Sequence, residues 1–390
     1  MTGRPLPMDE AAAAGQRLLD RVLDAVSPLD TAAMAEAAAG LDRLTKPPGS
    51  LGQLETVIVD LAGITGRRDA TVDERVIVIA AADHGVTRQG VSAYPTDVTR
   101  QMVANFIAGG AAINVLGGWA GVRLVVVDAG VASAIADGAS EPLLGGRLVR
   151  ARIRGGTDDM TEGPAMTRAE ALRAVAAGID LAGSLEADGT DILGIGEMGI
   201  GNTTAASAIT AVLTGEPPSR VTGRGTGIDD ATHRRKVEAV ERAIDVNRPD
   251  PRDPIGVLAS VGGFEIALLV GLIVKAAEAR IPVVLDGFIT GAAALVAATL
   301  GPAIAPRLIA AHRSIEPGHG VILAHLDRRP LLDLDLRLGE GTGAALAMGL
   351  IAAAVRLRDE MATFESAAIS GPTIGADLQA SDVAAGSSPA

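Results

Sequence analysis

Hydrophobic residues change their spacing along this chain at about residue 75. Before it they recur at helical intervals. Leu18, Leu19, Val22, Leu23 and Val26 share one face of a stretch running from Ala11 to Val26, which predicts an amphipathic helix. Asp30 is placed to cap a second helix through Leu44. Lys46-Pro-Pro-Gly-Ser-Leu-Gly52 ends that helix, because proline cannot continue its hydrogen-bond ladder. Ser50 and Gln53 predict a capping box for a third helix with Leu54, Ile58 and Leu61 turned inward. Three helices without an intervening strand predict a small helical module.

After Arg75 the apolar residues come in short continuous runs, each ending in glycine or a polar side chain. Val76 to Ala81 leads into Asp83-His84-Gly85-Val86, and Leu124 to Val127 into Asp128-Ala-Gly130. Val283 to Leu285 leads into Asp286-Gly287, and Leu308 to Ala311 into His312. Helical segments such as Asp97 to Phe106 and His233 to Ala243 separate them. Strands alternating with helices predict an α/β fold with a parallel sheet and right-handed crossovers. Such folds place ligands at the C-terminal ends of their strands. No internal repeat is found.

The fifth run, in Asp191-Ile-Leu-Gly-Ile-Gly-Glu-Met-Gly-Ile-Gly-Asn-Thr-Thr204, is the most unusual. Gly194, Gly196, Gly199 and Gly201 occupy alternate or near-alternate places, a strand, Ile192 to Ile195, enters a glycine-rich turn, and Asn202 or Thr203 can cap a helix that Gly215 stops. Free N–H groups at a helix N-terminus suit a phosphate, although a plain strand-to-helix connection has the same pattern. Glu197 stands within the turn, where it would repel a phosphate unless aimed at another part of the ligand. Near the end, Leu334-Asp-Leu-Arg-Leu-Gly-Glu-Gly-Thr-Gly343 repeats the theme, followed by a helix from Ala344 to about Arg358. Beyond Glu365, Ser, Ala, Gly and Pro dominate, and a disordered tail is expected.

Hydrophobic residues make up 48% of the 390, mostly aliphatic, with four Phe, one Tyr and one Trp. A formal charge of −13 disfavours nucleic acid as a partner, so any phosphate site must be local. Without cysteine there is no disulfide, no thiolate nucleophile and no zinc ribbon. The N-terminus lacks the apolar core of a signal peptide. The uncharged stretch Gly287 to Pro306 is interrupted by Gly291, Gly301 and Pro302, so it predicts a buried helix rather than a membrane span. A cytoplasmic protein without a membrane partner is expected.

Several side chains are candidates for chemistry. Asp83 and His84 at a strand end suit either substrate contact or structural hydrogen bonding. His312, His319, Ser314 and Glu316 lack a spacing that enforces metal geometry, so no metal is expected. No Gly-x-Ser-x-Gly elbow accompanies them. Lys236, following His233, Arg234 and Arg235, is either part of a solvated basic face or a phosphate contact. Glu340, between Gly339 and Gly341, has little reason to be there for packing. Burial would raise its pKa towards the range of a general base.

Taken together, these motifs resemble the nicotinate-nucleotide:dimethylbenzimidazole phosphoribosyltransferase family of cobalamin nucleotide-loop assembly. The resemblance rests on Lys46-Pro-Pro-Gly-Ser-Leu-Gly52, Ala82-Asp-His-Gly-Val86, Glu197-Met-Gly-Ile-Gly-Asn-Thr-Thr204, Val261-Gly-Gly-Phe264, Leu285-Asp-Gly-Phe288 and Leu338-Gly-Glu-Gly-Thr-Gly343. It implies a parallel sheet with Rossmann-like connections plus a small helical domain built from both chain ends, as a homodimer. The expected division is a helical part over 1–70, an α/β catalytic domain over 71–343, a returning helix over 344–365 and a tail over 366–390. It also implies phosphoribosyl transfer from nicotinate mononucleotide to a benzimidazole base, with no cofactor. By the same resemblance, Glu340 is the base and Glu197 the second acidic group. Substrate contacts fall to Asp83, His84, Gly199, Ile200, Gly201, Asn202, Thr203, Lys236, Gly287, Ser314 and Leu338. The segment Ser92 to Met102, with Tyr94, Gln101 and Met102, should wall the base pocket, but Tyr94 and Met102 stand where some members have small or polar residues, and whether Gln101 compensates is left open, so the acceptor is 5,6-dimethylbenzimidazole, another benzimidazole, adenine or a phenolic base. A nucleoside phosphorylase-like ribosyl transferase and a non-catalytic nucleotide-binding protein are the alternatives.

Overall fold

The computed structural model describes residues 8–133, 135, 147–225 and 227–370. The strands are β1 (Arg75–Ala82), β2 (Arg123–Gly130), β3 (Arg147–Arg150), β4 (Ile192–Met198), β5 (Val283–Leu285) and β6 (Leu308–Ala310). The helices are α1 (Met8–Asp24), α2 (Thr31–Asp42), α3 (Gln53–Thr65), α4 (Asp97–Ala108), α5 (Ala112–Trp119), α6 (Arg168–Ala187) and α7 (Asn202–Thr214). They continue with α8 (Pro218–Val221), α9 (Asp230–Asn247), α10 (Pro254–Val261), α11 (Phe264–Glu278), α12 (Phe288–Leu300), α13 (Pro317–His325) and α14 (Thr342–Glu360).

All six strands are parallel, in the order β3-β2-β1-β4-β5-β6. The chain works outwards on one side of β1 and then outwards on the other, so strand order reverses between β1 and β4. Connections on either side of that point leave towards opposite faces and open a crevice at the strands' C-terminal ends. β1, β2 and β4 are buried on both faces, which is why their apolar runs read as continuous rather than alternating. Val76, Val78, Leu193 and Ile195 join the core shared with α6, α11 and α12. On the other set of strand positions, Ile77 and Gly194 meet Met348 of α14. The uncharged stretch after Gly287 is α12, buried between β5 and β6. β3 is not visible as a strand in the sequence, since its half-exposed Arg-Leu-Val-Arg has neither length nor apolar content.

The described residues form two compact units, one of those before residue 30 together with those between 71 and 350, the other of residues 30–70 together with those after 350. Periodicity alone groups α1 with α2 and α3, but its buried Leu19 and Val22 belong to the core of the larger unit, where α1 packs on α6 and α11. Arg307, almost fully buried, holds the chain after α1 by donating to Pro28 O (3.3 Å). In the smaller unit Leu41, Leu44, Ile58 and Ala354 form one cluster, and Ala33, Ala37 and Ala62 another. Asp30 caps α2 as expected, accepting from Ala33 N–H (2.9 Å). The capping box at Ser50 and Gln53 is not formed: Gly52, at φ 57°, precedes α3, and Glu55 accepts from Leu51 N–H (2.9 Å) while pairing with buried Lys46 (2.9 Å). The tail expected beyond Glu365 lies outside the described residues from 371 onward.

Candidate active site

The glycines of the central motif divide into two roles. Gly194 and Gly196 lie within β4, not in a turn. A Cβ at Gly196 would collide with the backbone of Gly341, so the bare strand is the seat of the Glu340 turn. Gly199 and Gly201 form the turn itself. A Cβ on Gly199 would strike Ala82 O, and Gly201 has φ 97°, a left-handed conformation that favours glycine. Gly201, rather than Asn202 or Thr203, is the residue capping α7. Asn202 is occupied instead: its side-chain amide donates to Glu197 Oε2. Thr99 of α4 accepts the Ile200 N–H (3.1 Å) and fixes the turn from below.

Glu197 ends β4 and is buried. Burial, then the negative charges of Asp286 and Glu265, push its carboxyl up to about 8 against the opposing Asn202 bond. Glu340 faces it from the turn before α14. Gly339, Glu340 and Gly341 have φ of 82°, 65° and 85°, three left-handed residues in succession. For a glutamate this conformation is strained and requires support from its surroundings. A Cβ on Gly339 would meet Glu197 Oε1 at 2.5 Å, so the two acidic groups share one small space. Glu340 is buried, its Oε2 has no hydrogen-bond partner among the described residues, and burial followed by Asp286 pushes it up to about 7.

Beside the Gly199–Thr203 turn stands a cationic centre. Lys236 of α9 is buried and donates to Thr203 Oγ1 (2.9 Å) and Gly223 O (3.1 Å). Burial pushes its ammonium down to about 8, with Glu316 opposing. Glu316 accepts the Gly225 N–H (2.8 Å). Ser314 is held by His319, whose Nδ1 accepts the Ser314 N–H (3.0 Å). Burial, with the charges of His312 and Arg313, pushes His319 down to about 3, so its imidazole is neutral.

One cavity gathers Glu197, Gly199, Ile200, Asn202, Thr203, Gly287, Ser314 and Leu338 of the expected residues. Gly339 also lines it; its chain neighbour Glu340 and Lys236, which is bonded to Thr203, are not among the lining. Asp83 and His84 are not among its lining. His84 is buried beneath the Gly199–Gly201 turn, paired with Glu265 at 2.5 Å, and although burial presses its imidazolium down, Glu265 raises it overall. Asp83, raised by burial, accepts the Ala132 N–H (2.7 Å). Tyr94 and Gln101 are exposed, Met102 is half-buried, and none lines the cavity. Sequence reasoning passes over Thr99, Glu265 and Asp286, and gives Glu316 no role beyond a conceivable metal ligand. Asp286 does leave a signal, as an acidic residue at a strand's C-terminal end.

A crevice at the switch point of a parallel sheet, with an anion-suited turn bonded to one buried acidic group and a second acidic group in the neighbouring turn, is the site of a nucleotide-handling transferase. A family model described as "Phosphoribosyltransferase" matches residues 26–369. A nicotinate-nucleotide–dimethylbenzimidazole phosphoribosyltransferase of Roseiflexus sp. is 52% identical over 91% of this chain and 98% of its own length. One of Chloroflexus aggregans is 53% identical over 90% of this chain and 98% of its own. The crystal structure of the enzyme of the same name from Thermus thermophilus aligns with a TM-score of 0.81 at 46% identity, covering 88% of this chain and all of that one. The chain belongs to the nicotinate-nucleotide–dimethylbenzimidazole phosphoribosyltransferase family.

Proposed function

We propose that this enzyme transfers the phosphoribosyl group of nicotinate mononucleotide to a benzimidazole-type base, for the lower ligand of cobalamin. The products are nicotinate and an α-riboside 5′-phosphate, α-ribazole phosphate when the base is 5,6-dimethylbenzimidazole. The observation that carries this reading is one cavity that joins Glu197, packed against the Glu340 turn, to the turn from Gly199 to Thr203, with Lys236 bonded to Thr203. The phosphate is assigned to the turn from Gly199 to Thr203, with Lys236 supplying charge from behind and Gly287 and Ser314 completing the wall. Glu340 takes the N–H proton of the base as its other nitrogen bonds to C1′. The C1′–N bond to the pyridinium breaks and its electron pair leaves with nicotinate, so that leaving group needs no proton. Attack on the opposite face inverts C1′. Glu197 is protonated at neutral pH in the empty site; a cationic pyridinium or oxocarbenium beside it favours the carboxylate, which then stabilises that charge.

The test is incubation of purified enzyme with nicotinate mononucleotide and a panel of benzimidazole, purine and phenolic bases, with products resolved by mass spectrometry. Base-dependent α-riboside phosphate supports the reading. Nicotinate release that depends on inorganic phosphate and not on a base would replace it with a phosphorylase. The proposed assembly is a homodimer. Val115 and Trp119, 69% and 67% exposed, lie one turn apart on α5 and form an apolar face suited to a second copy. Sedimentation should give twice the mass of one chain, and Trp119→Glu should halve it. We place the reaction in the cytoplasm, without nucleic-acid or membrane partners, on the acidic, cysteine-free composition.

A further inference from the structure

Asp286 is fully buried at the C-terminal end of β5, outside the cavity lining, and it accepts three backbone N–H groups from the end of the Glu340 turn and the start of α14. Gly341 N–H donates to its Oδ2 (3.0 Å), and Gly343 N–H (2.7 Å) and Ala344 N–H (3.1 Å) both donate to Oδ1. A helix N-terminus leaves such donors unpaired, and a local Ser, Thr or Asp ordinarily accepts them. Here the acceptor comes from a strand 55 residues earlier in the chain. The turn it grips contains the three left-handed residues, and a strained conformation persists only where its surroundings hold it. Glycine is required around the clamp: a Cβ at Gly343 would collide with the His312 ring and stand 2.9 Å from Asp286 Oδ1.

We propose that Asp286 is the positioning residue for the general base: it locks the Gly339–Gly341 turn so that the Glu340 carboxyl is delivered in one orientation, with the Asp286 carboxyl as its acidic neighbour. This rests on Glu340 being the base. Charged and titratable groups around Glu340 come from every neighbouring element. They are Glu197 on β4, Asp286 after β5, His312 after β6 and Arg337 ahead of the turn, with the Glu265–His84 pair one layer behind Glu197. His312 Nε2 lies 3.8 Å from Asp286 Oδ1 and is the nearest cation-capable group to it. Asp286 is the charged neighbour that contributes to the upward displacement of Glu340. Three amide donors and His312 favour its carboxylate, while burial, the larger influence, opposes it.

Asp286→Asn tests both halves. It removes the charge and turns one acceptor into a donor, which faces either Gly341 N–H or the Gly343 and Ala344 pair. Turnover at saturating substrate should fall about 10–100-fold, with nicotinate mononucleotide affinity within about threefold of wild type. The acid limb of the pH–turnover profile should move to lower pH by roughly half a unit or more, because one negative neighbour is gone. A residue that merely stabilised the fold would leave that limb in place, so an unmoved limb overturns the proposal. In a Glu340→Gln background, Asp286→Asn should cost less than about threefold further turnover; full additivity would show that it acts elsewhere. If Glu340→Gln alone is as fast as wild type, it is the assignment of the base that has failed. Should Asp286→Asn not fold, hydrogen exchange on the wild-type enzyme decides. The Gly341, Gly343 and Ala344 amides should be protected like β4, and exchange at the rate of exposed loop amides would refute the clamp.

Discussion

At the scale of single residues, two acidic groups of the same type are separated in behaviour by what surrounds them. Glu197, buried and with more negative neighbours, is pushed to about 8, and Glu340, also buried, to about 7. Near neutrality one is mostly protonated and the other is divided between its forms, so Glu340 is the better proton acceptor. Glu340→Gln keeps size and most hydrogen bonding but cannot take a proton. Turnover should drop about 10²–10⁴-fold, or roughly 3–5 kcal/mol of transition-state stabilisation, with nicotinate mononucleotide affinity retained. A folded variant with near-normal turnover removes Glu340 from the mechanism. Wild-type turnover should rise with pH through about 7, since only the carboxylate accepts. Lys236 has the opposite sense. Held down to about 8, it loses charge above that pH, so calorimetry should show nicotinate mononucleotide binding weaken there. Lys236→Ala should weaken binding far more than it slows saturated turnover, and an unchanged dissociation constant would take Lys236 out of the phosphate seat.

At the scale of elements, β4 and the turn before α14 form one object. Gly194 and Gly196 have backbone angles that any residue adopts; what they supply is space, for Ile77 and Met348 at one position and for the Glu340 turn at the other. Gly196→Ala should therefore leave the sheet intact but lift the turn. We expect about 1–3 kcal/mol of lost stability in urea unfolding and a larger proportional loss of turnover than of binding. Normal turnover in that variant would mean that the turn does not need its seat. This element also shows what a sequence can reveal. Five of six strands are legible because apolar runs bounded by glycine or acid have few other readings; β3 is not, because Arg147 to Arg150 is stabilised by pairing with β2 and not by its own composition. The glycines of β4 read as a turn because nothing local distinguishes a glycine that bends from one that makes room. Likewise, the caps of α7 and α3 fall to Gly201 and Gly52: Asn202 is engaged by Glu197, and Ser50 and Gln53 close no box. Glu340 and Glu197 are visible as acids among glycines, but Asp286 requires knowing which strand ends lie side by side.

For the whole molecule, the buried site makes stability depend on pH. Glu197 and Glu340 have folded-state values raised above the ordinary carboxylate range. The folded protein therefore holds protons that the unfolded chain has released, and stability is lost as pH rises towards 7 and 8. His84, raised by Glu265, works in the same direction. His319, held at about 3, works the other way, but only below the ordinary histidine pKa of about 6.5. Lys236 opposes the trend from about pH 8 upwards. Unfolding free energy should thus fall between about pH 6.5 and 8, by up to about 1.4 kcal/mol per pH unit for each proton involved. Glu197→Gln should flatten that slope, and a wild-type profile that is level or rising across the window would show that these groups are not buried as described. Trp119 gives the molecule an optical property as well. It is the chain's one tryptophan, its ring lies against Gly349 on one side and is otherwise mostly in water, and the one tyrosine, Tyr94, is half exposed. Ultraviolet-excited emission of a lone protomer should already be red-shifted and change little on denaturation. A blue shift that grows with protein concentration would instead record two copies closing over the indole, making fluorescence a gauge of assembly that is nearly blind to the core.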